Sequence, residues 1–297
     1  MRIPPQRPLF DVPRDVAYFN CASATPQLNA ARDRLRESVA GKSHPWTRIP
    51  ADYFTNAERI RALCAEVIGG DAEGYAVVPA ASYALATAAR TLEPRLAKGD
   101  AIVMMAGEFP SLVLAFRRVA AERGAAIDIV AAPEDDDWTR AILDRIDART
   151  KVVAVASCHW TNGARVDLVR IARACRDAGA ALVVDGTQTV GAMPFDFAAI
   201  DPDFLALSGY KWMLGPYGVS FLYVAARWRE ARPLEESWLA RRGAEDFAAL
   251  VNPSDEYQPG ARRFDVGEKG NALLAGTIAG LEQLREWGVA SIAESLA

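Results

Sequence analysis

Residues 181–188 read ALVVDGTQ, and residues 204–218 read FLALSGYKWMLGPYG. Each segment opens with four apolar residues and then turns polar, to Asp185-Gly186-Thr187-Gln188 in the first and Ser208-Gly209-Tyr210-Lys211 in the second. An unbroken apolar run of that length suits a strand buried on both faces, as in a parallel sheet covered by helices. Five further runs of the same kind occupy 75–78, 101–105, 127–131, 152–156 and 219–224. Between them lie amphipathic stretches at 82–96, 111–123, 137–146 and 168–178, with turn signals at Lys98-Gly99-Asp100 and Asp177-Ala178-Gly179. This alternation predicts right-handed βαβ units, and so an α/β fold with a mainly parallel seven-stranded sheet covered by helices.

Ligands of open parallel sheets sit outside the carboxyl ends of the strands, so the polar residues that follow each apolar run carry the chemistry. Lys211 and Asp185 stand at two such ends. A lysine for an aldehyde and a carboxylate for a ring nitrogen are what pyridoxal 5′-phosphate requires of its protein. A free lysine, with a pKa of about 10.4, is a poor nucleophile near neutrality; joined to the aldehyde as a Schiff base it becomes an electrophile open to a substrate amine. Asp185 keeps the ring nitrogen protonated by ion pairing, and Gln188 is close enough in sequence to reach the phenolic oxygen. For the phosphate, Ala80-Ala81-Ser82 follows the 75–78 run and opens an Ala-rich helix. Its free backbone N–H groups favour an anion, and Ser82 adds a hydroxyl. The chain holds only five lysines. That one of them shares equivalent strand ends with Asp185 and Ser82 outweighs the ordinary reading of a lysine as solvated surface.

Composition narrows the function classes. The 297 residues are 51% hydrophobic and 24% charged, enough to bury a sizeable core in one large domain with an accessory lobe, or in two domains. The net charge is −4 and the arginines are scattered, which argues against nucleic acid and against a membrane surface as partners. No apolar stretch reaches the roughly 18 to 20 residues that span a bilayer, and residues 1–13 are proline-rich without a hydrophobic signal core, so a cytoplasmic protein is expected. Cys21, Cys64, Cys158 and Cys175 show no CxxC spacing and read as reduced thiols. The two histidines, His44 and His159, have no HExxH setting, so no metal centre is expected, and the absence of a GxGxxG after a strand weakens a nucleotide-binding reading.

Two longer motifs carry a resemblance. Tyr18-Phe19-Asn20-Cys21-Ala22-Ser23-Ala24-Thr25-Pro26 resembles the opening segment of the class V aminotransferases, and Ser208-Gly209-Tyr210-Lys211-Trp212 with Gly215-Pro216-Tyr217-Gly218 resembles their lysine motif. The likeness runs from about residue 18 to residue 280. It implies a fold type I pyridoxal-phosphate enzyme, a homodimer, and an amino-acid-like substrate altered at its amino group or Cα. Transamination, elimination with sulfur or selenium release (the cysteine desulfurase and lyase outcome) and epimerisation are the outcomes implied. Carried over by motif, Lys211 holds the cofactor, Asp185 its ring nitrogen and Gln188 its phenolic oxygen. Ala81, Ser82, Ser208 and Tyr210 form the phosphate cup. Phe109 falls where the family often has a histidine stacked on the ring, and Asn162 where it has an asparagine near the ring oxygen and substrate carboxylate.

The sequence also departs from the family. Glu268 replaces a threonine that reaches the phosphate of a partner subunit, and it calls for a cation such as Lys269 or Arg263 beside it. Family members continue for roughly another hundred residues into a lobe that supplies the substrate-carboxylate arginine. The expected organisation is an N-terminal segment at 1–34, a cofactor-binding large domain at 35–235 and an incomplete small C-terminal lobe at 236–297, with a long helix at 272–287 leaving the main sheet. The rival reading is a non-catalytic or truncated pyridoxal-phosphate-binding protein.

Overall fold

The computed structural model describes residues 2–297. Seven strands form one sheet: β1 (Tyr75–Val78), β2 (Ala101–Met105), β3 (Ala126–Val130), β4 (Thr150–Ala156), β5 (Ala181–Asp185), β6 (Phe204–Ser208) and β7 (Ser220–Val224), in the order β1-β7-β6-β5-β4-β2-β3. Each predicted apolar run becomes a strand, with ends displaced by no more than two residues. β3, β2, β4, β5 and β6 pair in parallel, whereas β7 runs antiparallel between β6 and β1. The reason for the reversal is length. The β6–β7 connection is too short for the crossover of a dozen or more residues that a parallel return needs.

Among the described residues nine α-helices complete the layers: α1 (Asn29–Gly41), α2 (Thr55–Ile68), α3 (Ala81–Leu92), α4 (Pro110–Arg123), α5 (Trp138–Leu143), α6 (Leu168–Ala178), α7 (Phe197–Ile200), α8 (Asn271–Trp287) and α9 (Val289–Leu296). α3 stops short of the predicted 96 because Pro94 draws the chain into a 3-10 turn. α4 and α6 end at Gly124 and Gly179, both in the left-handed conformation that glycine adopts without strain. Alternate strand residues face opposite layers. Leu182, Val184, Leu205 and Leu207 pack with Ile60 and Leu63 of α2 and Ile171 of α6. Ala181, Val183, Phe204 and Ala206 pack with Ala84 and Leu85 of α3 and Leu112 and Phe116 of α4. Burial stabilises by about 1.5–3 kcal/mol per large side chain, so strands that are apolar on both faces hold the sheet from both sides.

The 272–287 pattern forms α8. It packs along α1 and α2. Gly276 meets Leu35, and Gly280 lies so close to the Leu214 carbonyl that a Cβ would sit 2.7 Å from it. Gly276 thus lets the α8 backbone approach α1, and Gly280 lets it press against the turn that follows β6.

A buried ionic cluster ties this end of the chain to the sheet. Asp265 accepts hydrogen bonds from Arg61 of α2 (Nη1 at 3.1 Å, Nη2 at 2.5 Å) and from the Val77 N–H of β1 at 2.8 Å. Lys269 Nζ pairs with it at 2.8 Å. Arg61 also donates to the Tyr75 carbonyl. Lys269 is thus committed to Asp265, and Arg263 pairs with Glu230 at 2.9 Å. Glu268 instead accepts from Trp238 Nε1 at 2.9 Å. Among the described residues, no helix is long and apolar enough to cross a membrane.

Candidate active site

The turn after β6 places Lys211. Gly209 must be glycine, since a Cβ there would overlap the Val219 carbonyl oxygen. The Gly215 N–H donates back to the Gly209 carbonyl at 2.8 Å, and the Leu214 N–H donates to the Lys211 carbonyl at 3.1 Å. Leu214 takes a φ of 57°, a strained value for a branched side chain. Such strain persists only where the surrounding structure imposes it, here by the pressure of α8 on the back of the turn. The result is a lysine only 9% exposed, aimed into the cleft.

Asp185 ends β5 and is 7% exposed. Its Oδ1 accepts the Thr187 N–H at 3.0 Å, and Thr187 Oγ1 in turn accepts the Ser208 N–H at 3.2 Å. Thr187 therefore locks the tips of β5 and β6 together. Burial raises the Asp185 pKa, against its Thr187 hydrogen bonds and the charge of Lys211. Burial lowers that of Lys211, against the charge of Asp185. Each group is costly to charge alone and is helped by the other.

These two side chains line one cleft of about 470 Å³ with Ala81, Phe109, Gln188, Ser208 and Tyr210. Lys211 Nζ stands 5.8 Å from the Phe109 ring centroid and 5.9 Å from that of Tyr210. Tyr210 is stacked on Tyr217 at 4.1 Å. Gln188 bridges the chain, with Oε1 accepting from Trp212 Nε1 at 3.1 Å and Nε2 donating to the Ala22 carbonyl at 3.2 Å, so the N-terminal segment is held against the cleft.

Two candidates lie apart from this group. Ser82 is exposed on the first turn of α3, outside the cleft lining. Asn162 is exposed in the turn after β4, with Oδ1 accepting the Ala164 N–H at 3.1 Å. His159 is buried: its Nε2 lies 3.0 Å from the Ala106 carbonyl, its Nδ1 lies 2.8 Å from Thr161 Oγ1, and its ring stacks on Trp138. Both ring nitrogens are used inside the protein, which is a structural role.

The cleft also holds residues that sequence reasoning does not single out. Trp160 donates from Nε1 to the Gly107 carbonyl at 2.7 Å and meets Phe109 edge-on at 5.6 Å. Glu108 is 5% exposed beneath it. The signal for Glu108 was its place beside Phe109 at a strand end, but a carboxylate there reads as solvated until its burial is known.

The residues present fit the cofactor that the strand ends call for. The cleft offers one buried amine, two buried carboxylates (Asp185 and Glu108), an aromatic face and, at the Ala80 cap of α3, free N–H groups suited to an anion. A doubly covered parallel sheet with a buried lysine and aspartate at adjacent strand tips is the arrangement of the fold type I pyridoxal-phosphate enzymes. Residues 22–296 match the family model described as "Aminotransferase class-V", and the chain belongs to that family. Membership implies an enzyme of transferase or lyase type with pyridoxal 5′-phosphate as its cofactor.

Among curated relatives, the "Probable cysteine desulfurase" of Pyrococcus abyssi is 27% identical over 98% of this chain and 73% of the relative. The isopenicillin N epimerase of Amycolatopsis lactamdurans is 29% identical over 81% of this chain and 61% of its own. Of solved structures, a C-DES variant with glycine covalently linked to the PLP cofactor superposes with a TM-score of 0.87 at 21% identity, covering 99% of this chain and 77% of the other. The apo cysteine desulfurase of Thermococcus onnurineus gives 0.83 at 23% identity, with 97% and 72% covered. The two structures show the fold. This chain spans between about three fifths and three quarters of the length of these proteins.

Proposed function

We propose that the protein acts at the amino group or Cα of an amino-acid-like substrate, with Lys211 as the residue that both carries the cofactor and moves the substrate proton. The observation that carries this reading is a buried Lys211 in the same cleft as a buried Asp185. Bound pyridoxal phosphate supplies an electron sink for a bond broken at the substrate Cα. The protein supplies the rest. Burial makes Lys211 a base that releases its proton more readily than a surface lysine, so Nζ can take a proton from carbon and return it. Asp185 sets a negative charge where the ring nitrogen needs one, held in place by Thr187. Phe109 and Trp160 wall the cleft with apolar surface and reduce the water that reaches it.

Sulfur release from cysteine or a related thiol-bearing amino acid is the outcome supported by the desulfurase names among the relatives. Cys158 lines the cleft, but burial raises its pKa and leaves it a weak nucleophile. The purified chain with added pyridoxal phosphate is expected to release sulfide from one of a panel of thiol-bearing amino acids. Keto-acid formation or a change of Cα configuration without sulfide would reassign the outcome. Cofactor binding with no turnover of any amine would favour the non-catalytic reading.

The same reading extends to a homodimer in the cytoplasm. Phe19, Trp46 and Val39 leave apolar side chains exposed that a second copy would cover. Sedimentation is expected to report the mass of two chains, and a single-chain mass at all concentrations would remove the dimer.

A further inference from the structure

Glu108 sits between β2 and α4, and its two carboxyl oxygens have different surroundings. Oε1 accepts the Ala156 N–H at 2.8 Å. Ala156 is the last residue of β4 and pairs in register with Asp185 at the tip of β5, so this hydrogen bond anchors Glu108 beside the aspartate. Oε2 is wholly covered and has no hydrogen-bond partner in the protein. Buried polar atoms in folded proteins are satisfied in the great majority of cases, and an orphan at a cleft that binds a ligand needs an account.

The groups around it define what that account must be. Asp185 faces the cleft from β5, Lys211 and Tyr210 from the turn after β6, and Cys158 from the segment after β4, where His159 lies behind Gly107. Lys211 is the one cation among the lining residues, and Asp185 already opposes it. A second carboxylate would be buried with only backbone N–H groups, those of Ala156 and Phe109, to stabilise it and a like charge for a neighbour. Burial pushes the Glu108 pKa up from the ordinary 4.5 to about 7; the Ala156 N–H and, more weakly, the Phe109 N–H oppose this, and Asp185 adds to it.

We propose that Glu108 is a positioning residue of the cofactor cleft: it keeps a proton on the covered Oε2, so that Asp185 remains the one negative charge facing the ring nitrogen. The proposal rests on the pyridoxal reading of the cleft. When neutral, Glu108 adds no second negative charge beside Asp185 and so leaves the aspartate free to stay anionic. When it ionises, two negative charges share the tips of β4 and β5, Asp185 gains proton affinity, and the ring nitrogen competes with Asp185 for a proton.

The test compares wild type with Glu108→Gln, which keeps the Oε1 acceptor for Ala156 and places a permanent donor at Oε2. In the protein without added cofactor, the folded state holds a proton on Glu108 that the unfolded chain has lost between pH 4.5 and about 7. Stability from this group is therefore present at low pH and lost as pH rises through that window. The fall in melting temperature across it is expected to be smaller in Glu108→Gln than in wild type. In the cofactor-loaded protein, the visible absorbance of the lysine-bound cofactor is expected to change with pH near neutrality in wild type and to lose that step in the variant. Identical pH profiles for both proteins in both measurements would overturn the proposal.

If Glu108→Gln does not fold, difference infrared spectra of the loaded wild type still decide. A protonated-carboxyl band that disappears as pH rises past about 7 is expected, and its absence at every pH overturns the proposal. Failure of the wild type to develop visible absorbance with added cofactor would instead sink the pyridoxal reading, while the melting experiment would still report the Glu108 proton.

Discussion

Lys211→Ala is expected to abolish the visible absorbance of bound cofactor and to cut turnover by at least about 10²–10⁴-fold, the range typical of losing a positioned acid–base group. No other lysine lines the cleft. Lys269 is spent on Asp265, and Lys151 Nζ donates to the Ala148 carbonyl on the surface. Among the described residues no neighbouring amine can substitute. The fold should survive, because Lys211 is costly to bury as a cation and its loss removes that cost. Asp185 then loses the one charge that lowers its pKa, so its carboxyl moves further up and holds the ring nitrogen less well. Lys211→Arg restores the charge without an amine that can join an aldehyde, and it should remain inactive. Cofactor absorbance that persists in Lys211→Ala would end the assignment.

Asp265→Ala is expected to be the most destabilising single change, at about 3–5 kcal/mol, because it strands buried charge rather than removing it. Arg61 is 2% exposed, the Lys269 side chain is 6% exposed, and both lose their shared carboxylate together with the Val77 N–H. Burial alone would raise the Asp265 pKa, yet Arg61 and Lys269 outweigh it and hold the carboxyl below its ordinary 3.8. A depressed carboxyl contributes stability that is present above the unfolded value and lost as pH falls through the folded one. The cluster should therefore fail in acid, below about pH 3.8. Denaturant unfolding reads both effects. Arg242–Glu256, with both side chains about two-thirds exposed, serves as the contrast, and breaking it should cost about 0–1 kcal/mol. A loss as small as that for Asp265→Ala would show that the cluster is not what holds residues 260–269 to the sheet.

Much of the architecture was legible in short stretches of chain. A strand buried on both faces must be apolar throughout, and the residue after it is the first able to be polar. The runs at 181–184 and 204–207 therefore announced both their strands and the two groups beyond them. Lys211, Asp185, Gln188, Ser208, Tyr210, Phe109 and Ala81 do converge on one cleft. The direction of β7 was also within reach, from the length of its connection.

Ser82 and Asn162 show where local reading loses hold. Being next to a strand end places a residue near the cleft, but whether it lines the wall depends on the rotation of a helix or the path of a turn. The helix at 272–287 was visible as a pattern, while its docking against α1, α2 and the Lys211 turn depends on how closely Gly276 and Gly280 let it approach.

What periodicity and polarity settle is thus the α/β layering and the pair of strand ends that hold the lysine and the aspartate, since both follow from residues adjacent in the chain. The unpartnered oxygen of Glu108 and the Arg61–Asp265–Lys269 cluster belong to the folded molecule alone. They join residues 48 and 204 positions apart, and the proton affinity of a carboxyl is set by which neighbours burial brings to it.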